Sequence, residues 1–164
     1  MDTVVASTLE INRKADESVH ALARQTRLDA RVGIWDERSV LLIVSGSSRA
    51  QAFFQCLGPR LPGYCSASGR TILAHMEPEE VSEYLYRTEL LYHTPYTITD
   101  PDQLLREIEQ TRKRGYGIDR EELIPGIAAL AVPIYERDGL ISATVSLSGS
   151  PARILKRQEK ELGQ

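Results

Sequence analysis

Ser142, Thr144, Ser146 and Ser148 put hydroxyls at alternate positions near the end of the chain. They belong to the stretch IPGIAALAVPIYERDGLISATVSLSG, residues 124–149, which reads as two strands joined at Asp138-Gly139. That dipeptide tolerates positive φ and suits a two-residue type I′ turn. Such a turn sets Arg137 opposite Leu140, Ala131 opposite Ser146 and Ala129 opposite Ser148. The strand period of two then predicts a packing face of Leu130, Val132, Ile134, Ala143, Val145 and Leu147. The other face carries Ala129, Ala131, Pro133, Ser142, Thr144, Ser146 and Ser148, with neither charge nor bulk. Small groups and short donors suit the wall of a ligand pocket. An exposed Ser-rich face, or one packed closely under a helix, would give the same pattern.

The chemistry legible here is hydrogen bonding. His20, His75 and His93 are candidate bases, yet the chain has no Gly-x-Ser-x-Gly elbow, Ser-x-x-Lys pair, zinc spacing or phosphate loop. Cys56 and Cys65 sit nine apart and make neither a zinc pattern nor a disulfide framework. No catalytic residue, metal or cofactor is expected. A second candidate feature is the start of a helix at Ser66, predicted to run through Ala74 or His75. Ser66 is a good N-cap, and Ala67, Ser68 and Gly69 are small enough to let an anion approach the open N–H groups of the first turn. A plain capped helix with small residues for close packing reads the same way.

The rest of the chain must position these two features. Residues 7–27 read as a helix with a Ser7–Glu10 capping box and an apolar stripe of Ile11, Ala15, Val19 and Leu22. Arg31–Trp35 and Val40–Ser45 read as strands around Asp36-Glu37-Arg38, Ser45–Arg49 as loop, and Gln51–Cys56 as a further strand with Phe53 and Phe54 on opposite faces. Gly58-Pro59 and Leu61-Pro62-Gly63 read as breaks. One helix follows Pro78, using Val81, Tyr84 and Leu85. Another has Asp100 as N-cap, Pro101 in the first position and Gln103 completing a capping box, and it ends at Gly115. The Arg112-Lys113-Arg114 cluster at its end suits the helix dipole better than a nucleic acid. Tyr116–Asp119 reads as a strand, Arg120-Glu121-Glu122 as a polar turn, and residues 151–161 as a charged helix. Strands and helices do not alternate regularly, so the fold class is α+β, a largely antiparallel central sheet flanked by helices.

At 164 residues, with 41% apolar and 26% charged residues, the chain suits one soluble domain over residues 1–164. A formal charge of −3 argues against this piece gripping a phosphate backbone. No membrane span or signal peptide is read, and a cytoplasmic location is expected.

Four pieces taken in order carry a resemblance: the Pro-bounded loop into a small-residue helix, TITDPDQL, RGYGIDREELIPGI, and the hairpin ending SLSGSPARI. At these spacings they resemble the effector-binding domain of IclR-type transcriptional regulators, from about the first helix through Ile154. The resemblance implies a GAF-like domain that binds a small-molecule effector and helps assemble homodimers or tetramers. DNA contact is then expected only through an N-terminal winged helix-turn-helix, which this chain is expected to lack. It further implies pocket positions at Leu61, Phe53, Ala67 and Ser68, at Asp119 of the Gly-Tyr-x-x-Asp segment, at Ile127 and Ala129, and at Ser146 and Ser148. Tyr64 stands where the family usually has His, Cys65 where it has Ala, and Arg70 where it has Lys. Ala129 falls where some relatives have a thiol. The expected ligand set is therefore Phe53, Leu61, Tyr64, Ser66, Ala67, Ser68, Gly69, Asp119, Ile127, Ala129, Ser146 and Ser148, with a small organic acid as effector. The alternatives are an oligomerisation module with a vestigial pocket, or a hydrolase-type enzyme.

Overall fold

A computed structural model describes residues 2–47 and 58–162, with side chains over 13–47 and 58–156. The elements in order are α1 (Asp2–Thr26), β1 (Asp29–Asp36), β2 (Ser39–Gly46), β3 (Arg60–Pro62), α2 (Ala67–Leu73), α3 (Pro78–Arg87), α4 (Pro101–Arg114), β4 (Gly117–Arg120), β5 (Ala128–Tyr135), β6 (Ile141–Gly149) and α5 (Pro151–Leu162). The six strands form one antiparallel sheet in the order β3-β2-β1-β6-β5-β4. Mixed α+β with an antiparallel sheet is thus the observed class. Helices cover both sheet faces. On the outer face, Val19 and Ala23 of α1 pack on Ala30, Val32 and Val44, while Ile154 of α5 packs with Leu28 and Ala128. On the inner face lie α2, α3 and α4, around Leu73, Val81, Tyr84, Leu104 and Ile108.

Several expectations shift. The first helix starts at Asp2, five residues early, so Ser7 lies inside it rather than capping it. Ser45 and Gly46 belong to β2. The break at Leu61-Pro62 is a short edge strand, Ser39 pairing with Pro62 and Val40 with Leu61. Proline is tolerated there because an edge strand leaves one side of its backbone unpaired. The expected strand Gln51–Cys56 lies outside the described residues. The Ser66 and Asp100 caps are observed: each side chain accepts an N–H three residues on, from Gly69 and Gln103. A reciprocal capping box instead opens α3, between Glu77 and Glu80. Arg112 of the basic cluster donates to Ala74 O at 2.8 Å, satisfying the end of α2.

The long hairpin is reached through two deviations that cancel. Its turn is a three-residue loop, Arg137-Asp138-Gly139, closed by Glu136 N donating to Leu140 O (2.8 Å) and Gly139 N to Glu136 O (3.0 Å). Only Gly139 of the loop takes positive φ, 84°. This shifts pairing by one residue at Tyr135–Ile141, and a β-bulge that leaves Ser142 without a partner shifts it back. Beyond the bulge Ala131 pairs with Ser146 and Ala129 with Ser148, as the period of two predicts. The faces are covered unequally. Ala131 and Thr144 of the small-residue face are buried, whereas Val132 and Ile134 of the expected packing face are 50% and 36% exposed.

What lies on the small face is α2, packed very closely. A Cβ on Gly117 would come within 2.2 Å of Ala67 O, and one on Gly69 within 2.2 Å of Gly63 O. Thr71 Oγ1 stitches the layers, accepting from Gly117 N (2.9 Å) and lying 3.1 Å from Ala131 O. The strongest tie is Arg70, fully buried. Its Nη1 donates to Ile118 O (2.8 Å) and Glu122 Oε2 (2.7 Å), and its Nη2 to Tyr64 O (3.0 Å) and Glu122 Oε1. Glu122, read from sequence as part of a polar turn, is 3% exposed. Burial works against the Arg70 charge, but the bonds to Glu122 outweigh it and hold the guanidinium protonated. Arg70→Met should therefore destabilise the chain by about 3–5 kcal/mol, because Glu122 is left buried and unpaired. The double change Arg70→Met/Glu122→Gln should recover much of that loss, as read by urea unfolding.

Candidate functional site

Between the start of α2 and the small-residue face of β5 and β6 lies a cavity lined by Arg31, Leu61, Ser66, Ala67, Ser68, Asp119, Leu123, Ile124, Ile127, Ala129, Ser146 and Ser148. The register explains the meeting. Asp29, Ser148, Ala129 and Asp119 form one row across β1, β6, β5 and β4, and Arg31, Ser146, Ala131 and Gly117 form the next. The middle of both rows is Ser or Ala, so the floor is shallow, with a cation on one side and a carboxyl group on the other. The cavity is tight, about 30 Å³, against roughly 10–15 Å³ for one water.

Eleven of the twelve expected site residues lie among the described residues. Leu61, Ser66, Ala67, Ser68, Asp119, Ile127, Ala129, Ser146 and Ser148 line the cavity. Phe53 lies outside the described residues. Two expectations are corrected. Tyr64 turns away into the core, its hydroxyl donating to Leu91 O at 2.8 Å and lying 2.9 Å from His93 Nε2. Gly69 is absent from the lining because it packs on Gly63, and its N–H is taken by the Ser66 cap. The Ser66 hydroxyl is itself committed, donating to Pro62 O at 2.6 Å. By contrast Ser68 Oγ is buried at the cavity wall with no hydrogen-bond partner among the described residues, an arrangement that costs free energy unless something else supplies the bond.

The sequence reading missed Arg31, Leu123 and Ile124. Arg31 is 8% exposed, and its Nη1 donates to Ser148 Oγ at 3.1 Å. Its Nη2 lies 3.5 Å from Asp29 Oδ2, and burial pulls its pKa down while Asp29 pushes it up. Alternation along β1 was the available signal, since Ala30 and Val32 face α1 and leave Arg31 on the opposite face. Leu123 and Ile124 follow a turn whose course depends on the buried Glu122, which no local pattern shows.

Asp119 Oδ1 accepts Glu122 N–H at 2.8 Å. Burial pushes its carboxyl up to about 7, with the Glu122 charge adding and the Glu122 N–H and Arg70 opposing. Near neutrality Asp119 can therefore either accept a hydrogen bond or donate one. The histidines lie elsewhere: His75 against Tyr135 and Thr71, His93 against Tyr64, and His20 against Asp16. No nucleophile–base pair is assembled among the described residues that line the cavity. Cys65 is fully buried in the core, its thiol pushed up to about 12 chiefly by burial.

Comparison with known proteins gives a consistent result. Residues 3–164 match the family model for the bacterial transcriptional regulator IclR C-terminal domain. The HTH-type transcriptional regulator KdgR of Escherichia coli K12 is 32% identical over 154 residues, covering 93% of this chain and 59% of that protein. The Thermotoga maritima IclR crystal structure superposes with a TM-score of 0.82 at 30% identity, over 97% of this chain and 67% of that one. A double mutant of the PobR inducer-binding domain from Acinetobacter, in complex with 3-hydroxybenzoic acid, superposes with a TM-score of 0.78 at 28% identity, over 87% of this chain and 84% of that one. The chain spans about half to three-fifths of the length of the curated KdgR relatives it matches.

The Asp119 environment makes a checkable statement about pH. Its folded pKa, about 7, lies above the ordinary 3.8. Between those values the folded state binds more protons than the unfolded one, so stability from this group is full below about pH 4 and is lost as pH rises towards 7. Asp119→Asn keeps an oxygen acceptor for Glu122 N–H and removes the titration. In urea unfolding at pH 4.5, 6 and 7.5, chosen to span about that window, the variant should gain on the parent as pH rises, by at most about 1.4 kcal/mol per pH unit. A constant difference across the series would contradict the assignment.

Proposed function

The chain belongs to the IclR family of bacterial transcriptional regulators, as its C-terminal domain, and on that premise we propose that the cavity takes a small organic acid as effector. The observation that carries this reading is Ser68, whose buried hydroxyl has no partner among the described residues and lies at a wall shared with Ser146 and Ser148. A ligand oxygen would supply the missing bond. The ligand carboxylate is placed at the start of α2, where the N–H groups of Ala67 and Ser68 have no intrahelical acceptor, within reach of the serine hydroxyls. Leu61, Leu123, Ile124 and Ile127 supply the apolar wall. Asp119 meets a ligand hydroxyl, as acceptor when ionised and as donor when protonated. The complex of the related PobR domain with 3-hydroxybenzoic acid supports this class of ligand.

In the whole regulator, effector binding would alter DNA binding through the arrangement of subunits. A ligand can shift that arrangement only as far as its affinity differs between the two arrangements. We read the domain as a sensor without catalysis, since its serines stand without a base and its relatives are regulators. The tight cavity favours one alternative, an oligomerisation module with a vestigial pocket.

A thermal-shift screen of small carboxylates, phenolic acids and sugar acids separates the two. A working pocket gives at least one stabilising compound, worth about 2.7 kcal/mol at a hundredfold excess over its Kd, and a vestigial one gives none. Ser68→Ala should act with opposite signs on the two states. Without ligand it removes an unpaired hydroxyl and is neutral or stabilising by up to ~1 kcal/mol, while the ligand-induced shift shrinks. A ligand shift that Ser68→Ala and Ser146→Val both leave unchanged would move the site elsewhere.

A further inference from the structure

Two charged residues line the cavity, Arg31 and Asp119, and they differ in what answers them. Arg31 lies 3.5 Å from the buried carboxylate of Asp29 and donates to Ser148, so its charge is already balanced. Asp119 has no ion pair among the described residues. Its Oδ1 accepts Glu122 N–H at 2.8 Å, and its Oδ2 accepts no hydrogen bond from them. The charged and titratable groups set around it come from three sides. On α2 stands Arg70, with Cys65 just ahead of that helix; on the following turn stand Glu121 and Glu122. Arg120 is its neighbour on β4, and the Arg31–Asp29 pair lies across the sheet on β1. Arg70 is taken up by Glu122, Arg120 lies 3.7 Å from Glu107 of α4, the Cys65 thiol stays protonated, and Glu121 adds negative charge. β5 and β6 bring only Ala129, Ser146 and Ser148 to the lining. An ionised Asp119 therefore leaves the surroundings of the cavity negative.

A bound carboxylate would be a second negative charge in a space of about 30 Å³. Two carboxylates that share one site removed from water do not both stay ionised. We propose that the cavity takes its acid together with one proton: the ligand enters as the carboxylate, and Asp119 takes up a proton from solvent and donates it in a hydrogen bond to the ligand hydroxyl. The only covalent change is a new O–H bond at Oδ2, since Oδ1 is held by Glu122 N–H. The proposal rests on the effector-pocket reading and deepens it by fixing the ligand class through charge. A monocarboxylate needs one proton, its amide needs none, and a dicarboxylate needs a second that no other lining residue can hold. Burial already holds the Asp119 carboxyl at about 7, so near neutrality the uptake costs little. Affinity for the acid then falls as pH rises through that value, because the competent form is the protonated one.

The test uses acid and amide forms of one skeleton, which differ little in shape and fully in charge. Lactate, gluconate and 3-hydroxybenzoate, each beside its amide, are titrated by calorimetry into the parent chain and Asp119→Asn. The titrations are made at about pH 6, 7 and 8, where these acids stay ionised. Each is run in two buffers of different ionisation enthalpy, which counts the protons taken up. For at least one acid we expect the Kd in the parent to rise about tenfold across that range, with close to one proton taken up per ligand at the highest pH. Its amide should show neither effect. Asp119→Asn should bind the acid with one Kd throughout, and more tightly than the parent at the highest pH. A flat profile for the acid in the parent, without proton uptake, would overturn the coupling and leave the effector pocket standing. An amide that follows the profile of its acid would overturn the charge argument. A profile that survives in Asp119→Asn would overturn the role of Asp119. Should that variant not fold, NMR of the Asp119 carboxyl carbon in the parent reads the same proton: protonation on adding acid at the highest pH is expected, and a carboxyl that stays ionised would overturn the proposal. Failure of every acid and amide to bind the parent at any pH would remove the proposal and the effector reading together.

Discussion

The buried pair between Arg70 and Glu122 is the contact on which the cavity depends. It joins α2 to the turn after β4 across 52 residues of sequence, with both side chains almost wholly removed from water. One guanidinium reaches Glu122, Ile118 O and Tyr64 O, and so fixes the end of β4, the turn behind it and the approach to α2 at once. Glu122 then orders its own neighbours, accepting Arg120 N–H at 3.1 Å while its backbone N–H caps Asp119. Its carbonyl receives the Thr97 hydroxyl at 2.6 Å, which ties in the segment before α4. Asp119 reaches the cavity because this cluster holds it there. A buried pair of this kind need not stabilise the fold relative to apolar replacements; what it does here is fix the relative position of two elements.

Close packing and an open cavity come from one compositional choice. Gly117, Ala129, Ala131 and Ser146 keep the inner face of the sheet shallow, so that α2 can approach until the backbone of Ala67 meets that of Gly117, while Gly69 lets α2 close on Gly63. Beside the start of α2, Ala129, Ser146 and Ser148 line the cavity together with Ser66, Ala67 and Ser68, so small residues there border space instead of filling it. Larger side chains on that face would both push α2 away and close the cavity. The unpaired Ser68 hydroxyl sits at this boundary between packing and space.

Local pattern made part of this arrangement legible. The period of two placed Ser146 and Ser148 beside Ala129 and Ala131, and held even though the turn was a residue longer than expected, because the bulge at Ser142 restored the register. The N-cap at Ser66 followed from residue type alone, since capping is a matter of a few neighbouring atoms. What pattern concealed was long-range. A lone Arg in a strand reads as a solvent-facing residue, and its burial follows from β1 pairing with β6, more than a hundred residues away. Glu122 in Arg-Glu-Glu reads as a polar turn until Arg70 is brought to it. Tyr64 and Gly69 flank the true lining residues in sequence, but the helical turn and the Ser66 cap point them elsewhere.

The proposed site for an acid lies between α2 and the β5–β6 face. A crystal structure of the chain grown with a stabilising hydroxy acid tests it most directly. Electron density for the acid is expected within hydrogen-bond reach of Ser68 Oγ and of Ser146 or Ser148, with its hydroxyl towards Asp119. Density for the acid at another surface, with Ser68 Oγ still unpartnered and the cavity closed by the protein's own side chains, would contradict it.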